Sequence, residues 1–200
     1  WSALHLLRFD NKNMTWGTSF NAEYSIYLGL DPKAGLSATL DDLNFKFLRL
    51  SAQWNEIEAS QGAYDFSNID WQMNMAAERG AKVILAVGQK TPRWPECHVA
   101  LWATKLSDVE YEKALDKYIE ATVMRYRNHP ALEIWQVENE PFLPFGGETC
   151  RPLSEGQLKN EIATARSLDS NHQVLVSDSG ELSSWRRTAN AGDLFGTTMY

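Results

Sequence analysis

Only two cysteines, Cys97 and Cys150, and four histidines occur in the 200 residues. No C-x-x-C is present, and His5, His98, His129 and His172 are dispersed, so no metal site is expected. No apolar run approaches the roughly 18 residues that cross a bilayer, and no signal-peptide pattern opens the chain at Trp1; no membrane span is expected. Basic residues are few and unclustered. Lys and Arg number 19 against 26 Asp and Glu, a formal charge of −7, and no basic block is available to follow a phosphate backbone, which excludes nucleic acid as an expected partner. The stretch W-G-T-S-F-N at 16–21 lacks the G-x-G-x-x-G fingerprint, so a dinucleotide is not expected and no other cofactor is suggested. A G-x-S-x-G nucleophile elbow is also missing.

What is present is a hydrophobic content of 44%, enough for one substantial core, and a single domain over 1–200 is expected. Eight Trp, seven Tyr and eight Phe are many for this length; most belong in a core, but flat aromatic faces also carry sugar rings. Short β-branched or aromatic runs alternate with amphipathic segments bounded by capping residues. Strands are expected at 15–20, 45–50, 82–87, 132–138, 173–178 and in a last segment ending at Tyr200. Helices are expected from Asp31 and Pro32 to 43, from a Ser67 cap to Arg79 with Gly80 as terminator, and from a Ser107/Glu110 capping box to a stop before Pro130. A further helix runs from Ser154 and Gln157 to 168, and a short one covers 183–191.

Six such alternations imply a parallel sheet, open or closed into a barrel. Periodicity does not choose between them, but the missing phosphate loop favours an α/β architecture of the (β/α)8 TIM-barrel kind. About six β/α units are here, with strands 7 and 8 absent from the chain. Barrels place their chemistry just past the carboxyl ends of the strands, and polar residues collect there. Arg49 lies in the second strand, Gln89 to Trp94 follow the third, Asn139 and Glu140 end the fourth, Asp178 and Glu181 follow the fifth, and Tyr200 ends the sixth. Glycoside hydrolysis needs a carboxylic acid for the leaving oxygen and a second carboxylate, and a Glu at a strand end stopped by Pro141 suits the acid.

The segment W-Q-V-E-N-E-P at 135–141 resembles the fourth-strand motif of clan A glycoside hydrolases, (β/α)8 barrels that include cellulases, mannanases and β-galactosidases. The F-L-R-L around Arg49, W-N-E-I-E-A-S-Q-G-A-Y-D-F at 54–66, A-K-V-I-L-A-V-G at 81–88 and T-P-R-W-P at 91–95 resemble segments of the same enzymes, so the resemblance covers about 16–200. It implies that Glu140 is the catalytic acid/base of a retaining cleavage of a β-linked oligo- or polysaccharide. It further implies that Asn139 binds the sugar 2-hydroxyl, that Arg49 orients the carboxylates, and that Tyr200 lies near a nucleophile carried by a seventh strand beyond it. Gln89 and Trp94 are expected to contact substrate, while Glu138 is expected to support rather than catalyse.

Each of these residues also has a plainer role. Arg49 can be an ion pair within the barrel, Trp94 a wedge in its rim, and Glu140 an idle strand-end carboxylate. Asp178 and Glu181 are either the second carboxylate of an inverting site or loop and capping groups. The alternative function is a non-catalytic carbohydrate-binding protein on a hydrolase-like barrel. An unclosed barrel exposes two parallel edges, which a second copy of the chain could cover. Within the barrel, Cys97 in the third loop and Cys150 in the fourth reach the same rim, where a disulfide is geometrically allowed and would place the protein outside the cell or in its envelope.

Overall fold

The computed structural model describes residues 14–144 and 149–198. Its single sheet is parallel throughout, in the order β1 (Thr18–Ser19), β2 (Phe47–Ser51), β3 (Lys82–Val87), β4 (Leu132–Val137), β5 (Gln173–Ser179) and β6 (Leu194–Thr198). Helices α1 (Ala22–Tyr27), α2 (Pro32–Asp41), α3 (Trp54–Ile57), α4 (Ser67–Glu78), α5 (Asp108–Tyr126) and α6 (Glu155–Leu168) connect the strands, giving the curled six-stranded part of a TIM barrel. No helix among the described residues is long and apolar enough to cross a membrane.

Local chemistry sets most of the boundaries. Asp31 accepts the N–H groups of Lys33 and Ala34 ahead of Pro32. Ser107 with Glu110 and Ser154 with Gln157 form complete capping boxes on α5 and α6. Helix α5 buries Tyr111, Leu115, Tyr118, Ile119, Val123 and Tyr126 on one stripe, and Trp135 of β4 is fully buried, its indole N–H donating to Asp169 at 2.9 Å. Along β2, period-two alternation turns Leu48 and Leu50 into the core and presents Phe47, Arg49 and Ser51 on the opposite face.

Several expectations are corrected. Ser67 is the first residue of α4 rather than its cap; the Asp65 carboxylate accepts the Ser67 N–H at 2.8 Å. The short helix expected at 183–191 is a run of turns. Trp185 is left-handed there (φ 60°) and its indole N–H donates to the Ser179 carbonyl, which breaks the helical path. Strand β1 is two residues long, and α1 and α3 fall where only loop was expected. The expected strand end at Tyr200 lies outside the described residues.

Candidate active site

The carboxyl end of β4 carries two left-handed non-glycine residues, Glu138 (φ 61°) and Glu140 (φ 48°), with Asn139 between them. Non-glycine residues hold that conformation at a cost of order 1 kcal/mol each, so the surroundings must over-determine it. They do so from β3 and β5. Glu138 N–H donates to the Val87 carbonyl and Asn139 N–H to the Lys90 carbonyl, each at 2.9 Å. Glu140 N–H donates to the Ser177 hydroxyl at 3.3 Å, and the Lys90 ammonium donates to the carbonyls of Glu140 at 3.0 Å and Leu143 at 2.8 Å. Gln136 and Ser177 both donate to Asn139 Oδ1, at 3.2 and 3.1 Å, leaving the Asn139 amide nitrogen to other partners.

Glu140 is buried, and the Thr198 hydroxyl donates to its Oε1. A cavity of about 560 Å³ is lined by Arg49, Asn139, Trp94, Arg93, Glu96 and Tyr24, among others; Glu140 is not in its lining but neighbours it through Asn139 and Glu96. That volume is typical of a small-molecule site. Burial, and then the nearness of Glu140, push the Glu96 carboxyl above the ordinary carboxylate range, against the opposing pull of Lys90, Asn139 and Arg49. Burial likewise draws Lys90 below the usual ammonium range, although four carboxylates around it favour its charge. Trp94 is 72% exposed, and the Arg93 guanidinium stacks over the Tyr24 ring at 3.5 Å. A second cavity of about 720 Å³ shares Asn21, Tyr24, Arg93 and Trp94 with the first.

The structure therefore gathers Arg49, Trp94 and Asn139 around one cleft, next to Glu140. Gln89 does not join them. Its side-chain oxygen accepts from the Tyr111 hydroxyl at 2.7 Å and the Arg151 N–H at 3.3 Å, and its amide donates to the Arg151 carbonyl, so its polar atoms brace the loop after β4. Asp178 is also engaged elsewhere: its carboxylate accepts from Ser179 N–H, Ser183 and Thr188, which organises the loop after β5. Glu181 is exposed and lines neither cavity. The loop role is the one the Asp178 carboxylate displays.

Glu96 and Tyr24 are cleft residues that the sequence did not single out. The five-residue T-P-R-W-P stretch ends immediately before Glu96, and Asn21, which caps α1 by accepting the Tyr24 N–H at 2.8 Å, was the local signal for Tyr24. A disulfide joins Cys97 to Cys150, with Cα atoms 5.5 Å apart. It ties the loop that carries Trp94 and Glu96 to the loop that follows Glu140.

Comparison with known proteins bears on the fold and the family. Xylanase10C from Cellvibrio japonicus superposes with a TM-score of 0.66 at 17% identity, covering 82% of this chain and 36% of that one. A β-galactosidase from the psychrophilic Marinomonas ef1 gives 0.67 at 14% identity, covering 94% and 41%. At such identities these likenesses establish the barrel fold alone. In sequence, the β-galactosidase BgaA of Clostridium cellulovorans is 24% identical over 168 residues, covering 73% of this chain and 25% of the relative. The mannan endo-1,4-β-mannosidase F of Aspergillus clavatus is 26% identical over 129 residues, covering 60% and 28%. The chain thus spans about a quarter of the length of these two relatives. The profile of Glycosyl hydrolase family 10 matches residues 41–178, from the end of α2 through β5, and so includes Arg49, Trp94, Asn139 and Glu140. With more than half of its length matched, the chain belongs to glycosyl hydrolase family 10.

Proposed function

We propose that the protein hydrolyses a β-linked oligo- or polysaccharide with retention of configuration, Glu140 serving as acid/base and a seventh-strand carboxylate beyond Tyr200 as nucleophile. Glu140 gives its proton to the glycosidic oxygen as the bond from that oxygen to the anomeric carbon breaks and the nucleophile bonds to the same carbon. Water then displaces the nucleophile while Glu140 takes the proton of the water. The observation that carries this reading is the left-handed Glu140, held by β3 and β5 beside a cleft lined by Asn139 and Arg49. Asn139 and Glu96 present polar groups to sugar hydroxyls, and Trp94 offers an indole face.

Glu138 and the Asp178 brace belong to the scaffold of this site. The disulfide favours an exported location, because such bonds persist in oxidising compartments. A screen of aryl β-glycosides against the full-length protein tests the reading; turnover of none of them, with sugar binding retained, would instead support a non-catalytic binder. Trp94 gives a narrower test. Trp94→Ala is expected to raise KM by about three- to tenfold, equivalent to about 0.5–1.5 kcal/mol of lost ring contact, with kcat changed less than about threefold. An unchanged KM would assign Trp94 to the barrel rim.

A further inference from the structure

Between the end of β4 and helix α6 lies a pair of buried carboxyl groups that the proposed reaction does not use. Glu161 is on the buried face of α6, in register with Leu158, Ile162 and Ala165, and is 2% exposed. Its carboxyl hydrogen-bonds that of Glu138, which is fully buried. Two carboxyl groups in contact cannot form a hydrogen bond unless one of them carries a proton, and two adjacent charges away from water would repel strongly.

The surroundings decide where that proton sits. Burial pushes the Glu138 carboxyl up to about 7, against two bonds that favour its ionised form: Oε1 accepts the Gln89 N–H at 2.7 Å and Oε2 the Lys90 N–H at 2.9 Å. Burial first, and then Glu138 with Asp116 and Glu112 of α5, all favour the protonated form of Glu161. Gly88 is required beside them, since a Cβ there would stand 2.3 Å from Glu138 Oε1. Tyr111 and Tyr118 of α5 also face Glu138, neutral at physiological pH because burial raises both phenols.

A continuous set of contacts leads from this pair to the reacting carboxyl. Glu138 holds the backbone of Gln89 and Lys90; the Lys90 carbonyl accepts the Asn139 N–H, and the Lys90 ammonium holds the Glu140 carbonyl. We propose that Glu138 and Glu161 form a proton-sharing pair that positions Glu140. Glu161 is the proton donor, Glu138 the anionic acceptor, and the left-handed turn at 138–140 is what they hold. Their role in turnover rests on the reading of Glu140 as acid/base; the shared proton does not.

Carbon NMR of protein labelled at the glutamate carboxyl carbons, with resonances assigned by single Glu→Gln variants, tests both parts. At pH 7 the Glu161 resonance is expected at its protonated position, while that of Glu138, which burial pushes up to about 7, is partway through its titration and ionises first. Glu138→Gln and Glu161→Leu are each expected to move the Glu140 resonance, whereas Glu161→Gln, whose amide still donates to Glu138, leaves it in place. In turnover, Glu138→Gln is expected to lower kcat about tenfold or more while KM changes less than about threefold.

Both carboxyls bind protons more tightly folded than unfolded. Stability is therefore expected to fall as pH rises from the ordinary carboxylate range through 7, less steeply in Glu161→Gln. Ionisation of both groups at pH 7 would overturn the shared proton. An unmoved Glu140 resonance in both Glu138→Gln and Glu161→Leu would overturn the positioning role. If no form hydrolyses a glycoside, the acid/base reading fails while the resonances still judge the pair.

Discussion

Replacing Glu140 by Ala in the full-length protein is expected to lower kcat for an unactivated β-glycoside by about 10²- to 10⁴-fold, the usual contribution of a positioned general acid. The loss for an activated aryl glycoside is expected to be smaller in the glycosylation step, because its leaving group departs without a proton. The backbone of Glu140 is held by Lys90, after β3, and by Ser177 of β5, and its carboxyl accepts from the Thr198 hydroxyl. Equal hydrolysis of both substrates by wild type and variant would remove Glu140 from the reaction. Steady-state kinetics on a series of leaving groups makes the comparison.

The largest expected effect on stability comes from the disulfide. Cys97 and Cys150 are 53 residues apart, and closing a loop of that length restricts the unfolded chain by about 4 kcal/mol in the chain-entropy account. Cys97→Ser with Cys150→Ser is expected to lower the melting midpoint by roughly 10 °C for a protein of this size. Melting of wild type with and without reductant checks the same quantity without substitution, and two free thiols should appear only after reduction. An unchanged midpoint in both experiments would mean that the loops after β3 and β4 are held by their other contacts. Those contacts exist: Arg151 donates to the Leu106 carbonyl at 2.6 Å, and Gln89 binds its backbone.

The elements read correctly from sequence are those whose signals are local. Two capping boxes, the Asp31–Pro32 start and the apolar stripe of α5 each lie within a few residues of what they specify, and all recur in the structure. Helices α1 and α3 have six and four residues, too few for a 3.6-residue period to show. The helix expected at 183–191 failed for a tertiary reason: Asp178 draws Ser183 and Thr188 toward the end of β5, and the chain between them turns instead of winding.

The site was legible to the same extent. Asn139 and Glu140 stand out because motif and strand end coincide, and Arg49 and Trp94 through the motifs they sit in; Arg49, Trp94 and Asn139 line one cavity, which Glu140 neighbours. Gln89 sits at the right strand end, but its orientation depends on Tyr111 of α5, which no local pattern relates to it. Glu161 shows the opposite case. A carboxylate on an apolar stripe with Leu158, Ile162 and Ala165 is visible in sequence as an anomaly, but its partner can be identified only once α6 packs against the end of β4. Glu96 reaches the cleft because Lys90 and Cys97 pair as an isolated bridge within the loop after β3, a contact without a sequence period.

The most direct test of the central claim is azide rescue of Glu140→Ala in the full-length protein with a nitrophenyl β-glycoside. Without its base, the variant should accumulate the glycosyl-enzyme, and azide, an anion that needs no deprotonation, should enter the vacated space and release it. The account predicts a faster turnover with azide and a β-glycosyl azide product. An α-glycosyl azide would make Glu140 the nucleophile, and no response to azide in an otherwise impaired variant would contradict its role as acid/base.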